Sequence, residues 1–271
     1  MKLSDTLNGA TRVIAIVGDP IAQVKSPAGV TQSLIDRGCN AVVVPIHVSA
    51  ADLEGFVRGA SLAQNLDGLI VTVPHKFDAA RLCASLTERA RFLGAVNVLR
   101  RTPAGGWHGD QVDGLGFVEG IRRAGAHTEG RRALLVGAGG AGSAIALALL
   151  DAGVAELAVH DGDATRRDAL IARLRERHGG KVRAGTADPA GFQIVVNATP
   201  AGMRDGDPLP VDASRFEATM FVADVITVPA VTPMLAAARA RGCGTQTGTG
   251  MFAAVCERMV DFLRADGPLA R

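Results

Sequence analysis

The chain predicts an α/β protein organised as two consecutive units, and three features point there. Short β-branched runs alternate with Ala/Leu-rich helical stretches along the whole chain. A glycine-rich turn, Gly137 to Gly142, joins a strand pattern to a helix pattern in the middle. The alternation restarts at about Gly114, as a second unit would require. A length of 271 residues is enough for one large domain or two modest ones with real cores.

Val13 to Val17 reads as a buried strand stopped by Gly18, Asp19 and Pro20. A helix is expected from Ser26 as N-cap, with Pro27 at its first position, to Gly38. Ala41 to Val44 is a second strand, Ala51 to Ala60 a helix, and Gly68 to Val73 a third strand closed by Pro74. Strands separated by helices imply parallel pairing. In the second unit, Ala133 to Val136 is a strand and Ser143 to Ala152 a helix. Strand Glu156 to His160, helix Thr165 to His178, and strands Phe192 to Val196 and Phe221 to Val225 follow. Val231 to Arg241 and the amphipathic tail Met251 to Leu263 are helices.

A net charge of +2, from 29 basic and 27 acidic residues, leaves no surplus for a polyanion, which argues against a nucleic-acid binder. The arginine pairs, such as Arg100-Arg101 and Arg166-Arg167, read as solvated helix ends and loops. Cys39, Cys83, Cys243 and Cys256 lack metal-ligand spacing and read as small hydrophobes in a reducing compartment; no metal is expected. The absence of Tyr excludes a catalytic phenol. The N-terminus has no apolar leader core, and no apolar stretch approaches the ~20 residues that span a bilayer. A soluble, cytoplasmic protein without membrane partners is therefore expected.

Gly137, Gly139 and Gly142 fit G-x-G-x-x-G, with Gly140 and Ala141 between them. The motif follows an apolar strand and opens a helix, the context that dinucleotide binding needs. The first glycine permits the turn, the second lets backbone approach a pyrophosphate, and the third lets helix pack on strand. The helix N-terminus offers N–H groups and a positive dipole end to the phosphates. The next strand ends at Asp161, 19 residues past Gly142. A carboxylate there can hold ribose hydroxyls and repel a 2′-phosphate. Arg166 and Arg167 nearby tolerate that phosphate, so NAD or NADP is expected, with NAD slightly favoured.

Lys76, in Val71-Thr72-Val73-Pro74-His75-Lys76, lies at the carboxyl edge of a buried strand, and Asp113 lies near the domain junction. These segments, with Gly18 to Pro27, Asp67 to Lys76, Gly94 to Asn97, Asp113 to Phe117, Gly137 to Gly142, Asn197 to Met203, Asp224 to Pro233 and Gly248 to Met251, resemble the shikimate dehydrogenase family in order and over nearly the whole chain. The resemblance implies two α/β domains around a cleft, the second a Rossmann-type dinucleotide-binding domain. Residues 1–112 with 247–271 would form the substrate-binding, catalytic domain and 113–246 the NAD(P)-binding domain. It implies reversible hydride transfer between NAD(P) and a ring hydroxyl or ketone of shikimate, quinate or a related cyclic hydroxy acid. That is chemistry of the shikimate pathway of aromatic amino acid biosynthesis.

Carried over by motif, Lys76 and Asp113 are the acid–base pair, because oxidising an alcohol removes its hydroxyl proton as hydride leaves. Asn97 would hydrogen-bond the reacting or adjacent hydroxyl, and Ser26 and Thr72 would contact substrate. Thr199, Gly248 and Met251 join the glycine loop on the cofactor side. Several family positions have changed. Val24 stands where the family has serine, Ile70 where it has asparagine, Gln111 and Val112 where it has Asn-Thr, Thr227 where it has tyrosine and Val255 where it has glutamine. Val24, Thr227 and Val255 thus belong to a substrate shell that has lost polar contacts. Losing one partner of a buried hydrogen bond costs about 1–3 kcal/mol. The expectation is a monomeric or homodimeric oxidoreductase with a diverged substrate shell. The alternative is a non-catalytic or weakly active ligand- or nucleotide-binding paralogue.

Overall fold

A computed structural model describes residues 7–270. Residues 1–6, part of the segment read for a leader, and the terminal residue 271 lie outside the described residues. The chain divides into two compact units, Met1–Val112 with Cys256–Arg271, and Asp113–Val255.

Unit 1 contains β1 (Arg12–Gly18), α1 (Ser26–Asp36), β2 (Ala41–His47), α2 (Leu53–Ala60), β3 (Leu66–Val71), α3 (Lys76–Arg81), β4 (Ser85–Leu86), α4 (Glu88–Leu93), β5 (Val98–Arg101) and β6 (Trp107–Asp110). Its sheet runs β2-β1-β3-β5-β6-β4. The first three strands are parallel, as the strand–helix alternation predicts. β5 pairs antiparallel with β3 and with β6, which departs from uniform parallel pairing. The turn at residues 102–106 is too short for a crossover helix, so the chain has to return antiparallel.

One face of this sheet buries Ala15, Val17, Leu69 and Val71 against Leu53, Val57 and Trp107. Trp107 donates its indole N–H to the Val57 carbonyl (3.3 Å), a packing role. Arg101, expected in solvent, is buried; its guanidinium donates to the carbonyls of Ala60, Ser61, Ala63 and Leu66 at 2.9, 2.8, 2.5 and 2.6 Å. One fork of donors thus collects carbonyls from the end of α2, the connector and the start of β3.

Unit 2 contains α5 (Asp113–Arg123), β7 (Arg132–Val136), α6 (Gly140–Asp151), β8 (Glu156–His160), α7 (Ala164–His178), β9 (Val182–Ala184), β10 (Ile194–Asn197), β11 (Phe221–Asp224), α8 (Pro233–Ala240) and β12 (Gly244–Gln246). Its sheet is parallel throughout in the order β12-β11-β10-β7-β8-β9. That order reverses between β7 and β10, the switch point at which doubly wound sheets bind dinucleotides. The last helix, α9 (Gly248–Arg264), is continuous across the division at Val255. The division therefore leaves 247–255 in unit 2, where the sequence pattern gave them to the first domain. The reason is packing: a Cβ on Gly116 of α5 would stand 2.4 Å from Val255 Cγ2. All four cysteines are free thiols, and no metal-holding group of side chains occurs among the described residues.

Candidate active site

In unit 1 the predicted substrate-side residues gather at the carboxyl end of the parallel strands. Thr72 follows β3, and its amide donates to the Val17 carbonyl (3.0 Å). His75, wholly buried, bonds the Val48 carbonyl through Nε2 (2.7 Å), fixing the turn that delivers Lys76 to the start of α3. The Lys76 carbonyl accepts the Val96 amide (2.9 Å), which ties α3 to the next segment.

Asn97 is wholly buried and holds three strand ends together. Its carbonyl accepts from Val71 (2.8 Å), its amide donates to Asp110 (2.9 Å), and its Oδ1 accepts the Val112 amide (2.9 Å). Asp113, the next residue, is buried and opens α5. Beneath this lattice, Asp110 accepts Thr87 Oγ1 (2.6 Å), the Gln111 amide (2.7 Å) and the Arg89 guanidinium. Sequence reading missed Asp110; its only mark was an acidic residue ending a strand.

Ser26 is buried at the start of α1, but it is not the N-cap. Lys25 takes that position with no side-chain cap, so the helix begins one residue earlier than expected. Val24 is half-buried beside it, and Ile70 is fully in the core. Two positions where the family pattern has polar side chains are therefore apolar here.

In unit 2 the glycine loop has the geometry its spacing predicts. Gly137 sits at φ +103°, and its amide donates to the His160 carbonyl (2.8 Å). A Cβ on Gly142 would stand 2.0 Å from the Gly137 carbonyl oxygen. Gly139 caps α6 with no side-chain hydrogen bond, and a Cβ there would meet nothing within 4 Å. The loop is thus closed towards the protein and open outward above a 12-residue helix, a cradle that fits a dinucleotide's phosphates. Gly140 and Ala141 complete its half-exposed rim.

Asp161 is buried, and both of its oxygens are engaged. Oδ2 accepts the Ala138 amide (2.7 Å) and Arg166 Nε (3.2 Å); Oδ1 accepts the Asp163 amide (2.8 Å) and Arg166 Nη2 (2.7 Å). Burial pushes this carboxyl up, but Arg166 and the two amides outweigh it and hold it at about 2. The carboxylate braces the glycine loop, while the Arg166 guanidinium beside it is half exposed.

The loops after β10 and β11 share a buried anchor that sequence reading did not identify. Asp224 accepts Thr232 Oγ1 (2.8 Å), the Ile226 amide (3.0 Å) and Asn197 Nδ2 (3.2 Å). Its burial pushes the carboxyl above its ordinary value against these donors. Asn197 Oδ1 in turn accepts Thr199 Oγ1 (2.7 Å). Gly248 presses on the end of β11, where a Cβ would lie 2.2 Å from the Ile226 carbonyl oxygen. Met251 is buried in the first turns of α9 and Thr227 is half-buried. Val255 is buried with its side chain turned onto Gly116.

Known proteins share this architecture. Residues 16–99 match the family model for the shikimate dehydrogenase substrate binding domain. The shikimate dehydrogenase (NADP(+)) of Rubrobacter xylanophilus is 39% identical over 255 residues, covering 91% of this chain and 88% of that protein. The quinate dehydrogenase from Corynebacterium glutamicum, solved in complex with NAD, superposes with a TM-score of 0.85 at 30% identity, covering 95% of both chains. The 5-ketofructose reductase of Gluconobacter superposes with a TM-score of 0.85 at 28% identity, covering 96% of this chain and 95% of that one. The chain belongs to the shikimate dehydrogenase family.

Proposed function

We propose that this family member is an NAD(P)-dependent dehydrogenase that interconverts a ring hydroxyl and a ring ketone on shikimate, quinate or a related cyclic hydroxy acid. The observation that carries the reading is the lattice around Asn97. It holds the start of α3, where Lys76 stands, and the Val112 amide, one residue before Asp113, on one frame. Shikimate and quinate dehydrogenases among the relatives support the substrate class.

The dinucleotide supplies the hydride acceptor; the chain supplies everything else. Gly137 to Gly142 present backbone N–H groups to the phosphates, with Thr199, Gly248 and Met251 around them. In the reading, the Lys76 ammonium stabilises charge developing on the substrate oxygen, and Lys76 with Asp113 takes up the hydroxyl proton. Asn97 orients the hydroxyl, and Ser26 and Thr72 hold the remainder of the ring. Val24, Thr227 and Val255 stand at positions where the family pattern has polar contacts. Residues 1–112 and 247–271 serve the substrate and 113–246 the nucleotide, and the protein works in the cytoplasm as a monomer or homodimer. Either NAD or NADP serves. The slight NAD preference expected from Asp161 loses its basis, because that carboxylate already accepts from Arg166 and two amides.

The test is NAD(P)H formation with shikimate and with quinate, comparing the protein with its Lys76→Ala variant. The variant should lose about 10²–10⁴-fold in kcat. Equal signal from both, with nucleotide still bound, favours the second reading, a weakly active binding paralogue. The apolar Val24 and Ile70 are what speak for that alternative.

A further inference from the structure

An exposed histidine at the substrate edge of unit 1 has no part in the chemistry described so far. The register of β1 against β2 sets His47 level with Gly18. The register of β1 against β3 sets Val71 level with Val17, so Thr72 lies level with Gly18 on its other side. Side chains at one level of neighbouring strands share a face. His47 and Thr72 therefore flank Gly18 on one face, opposite the Ala15, Val17, Leu69 and Val71 core. Their backbones stand about 10 Å apart, two strand spacings.

Gly18 has no side chain of its own, and the Thr72 methyl fills the space above it: a Cβ there would lie 2.4 Å from Thr72 Cγ2 and 3.1 Å from the Val73 carbonyl oxygen. The predicted substrate contact Thr72 thus reaches over the glycine towards the strand that ends in His47. β2 is the edge strand, yet its last side chain does not turn outward. His47 Nε2 meets Asp19 Oδ1 at 2.7 Å, and Asp19 is the residue directly after β1. The imidazole thus lies over the end of β1.

A carboxylate only accepts, so Nε2 carries the proton and Nδ1 is the ring's other polar atom. Nδ1 has no protein partner among the described residues. Exposed contacts of this kind add little to stability, so the fold does not need this one. The neighbouring shell, by contrast, lacks polar groups at Val24 and Ile70.

We infer that His47, oriented by Asp19, is a further specificity-determining residue that hydrogen-bonds a substrate hydroxyl remote from the reacting carbon. The inference rests on the dehydrogenase reading above and selects within it for polyhydroxylated substrates. A ring or short chain with a second hydroxyl reaches past Thr72 to His47; a ligand without one makes no contact there.

The experiment measures kcat and KM for shikimate and quinate, with binding of each ligand and of NAD(P) by calorimetry. It compares the full chain with His47→Leu, His47→Gln and Asp19→Asn. His47→Leu should raise KM about tenfold, the factor one neutral hydrogen bond supplies, with kcat within about twofold and nucleotide affinity unchanged. His47→Gln should recover part of that loss, and Asp19→Asn should raise KM about threefold, because the ring is no longer held. Unchanged KM and ligand affinity in His47→Leu overturn the inference and leave the dehydrogenase reading intact. If the unmodified protein neither oxidises nor binds shikimate or quinate, the reading itself falls and the inference with it.

Discussion

The end of β7 in unit 2 opens into a glycine loop, held from behind by Asp161, whereas the end of β2 and the segments that follow β1 and β3 in unit 1 carry polar side chains: His47, Ser26, Thr72 and Lys76. On the proposed function, the nucleotide side would be read by main-chain N–H groups that any sequence supplies once glycine allows the path. The substrate side would be read by functional groups that one substitution removes. That reading accounts for a glycine loop with its full pattern beside Val24, Ile70, Thr227 and Val255, which differ from the family pattern. A backbone site tolerates almost no change at its glycines and almost any change at its rim; a side-chain site changes its ligand one contact at a time.

The sharpest way to break this contrast is Gly142→Val. The added Cβ would stand 2.0 Å from the Gly137 oxygen, so the turn has to open. NAD(P) affinity by calorimetry should fall by more than about 100-fold, since helix N-terminus and phosphate would no longer meet. Retained affinity would show that the phosphates are held elsewhere.

Asp161→Asn asks whether the brace behind the loop is electrostatic. The folded carboxyl sits at about 2, below the ordinary 3.8, so its ionised form is favoured by folding. The stability it adds is present above about pH 4 and is lost as pH falls from there towards 2. Urea unfolding should find the variant about 2 kcal/mol less stable at neutral pH, with the gap narrowing below about pH 4. A gap that stays constant down to pH 2.5 would mean the brace is steric.

The smallest expected effect tests the other half of the contrast. Val24→Ser returns a hydroxyl to the half-buried site beside Ser26. The KM for shikimate should fall about three- to tenfold, with stability and nucleotide affinity unchanged. A change in nucleotide affinity would show that the two sides are not independent.

Much of the fold was legible because long apolar runs and crossover helices leave strong periodic marks. All of the expected strands form, and the helices expected in unit 2 differ mainly in their ends, but α5 was not expected. The stretch 76–110 was not legible. α3 and α4 have six residues each, too few for a period, and β5 and β6 carry Arg100, Arg101, Trp107 and His108 rather than an alternating pattern. The candidate site was legible where glycine spacing or a motif marks it. Asp110, Asp224 and the double duty of Asp161 were not, because a buried carboxylate is recognised by the donors that converge on it, and those come from distant segments. Ser26 shows the local version: a Ser-Pro pair signals a helix start, but Lys25 already has helical backbone, φ −102° and ψ −14°.

Arg101 has one more implication, and it concerns length rather than composition. Its guanidinium spans the carbonyls of Ala60, Ser61, Ala63 and Leu66, so a single side chain measures the connector between α2 and β3. The residues along it face solvent and are free to vary; Leu62 is 78% exposed. Their number is not free. One inserted residue would carry β3 a step along β1, and a one-step slip turns every side chain of a strand to the opposite face. Thr72 would then point into the core and Val71 away from it. In this family member, counting along a surface loop is what keeps Thr72, the proposed substrate contact, out of the core.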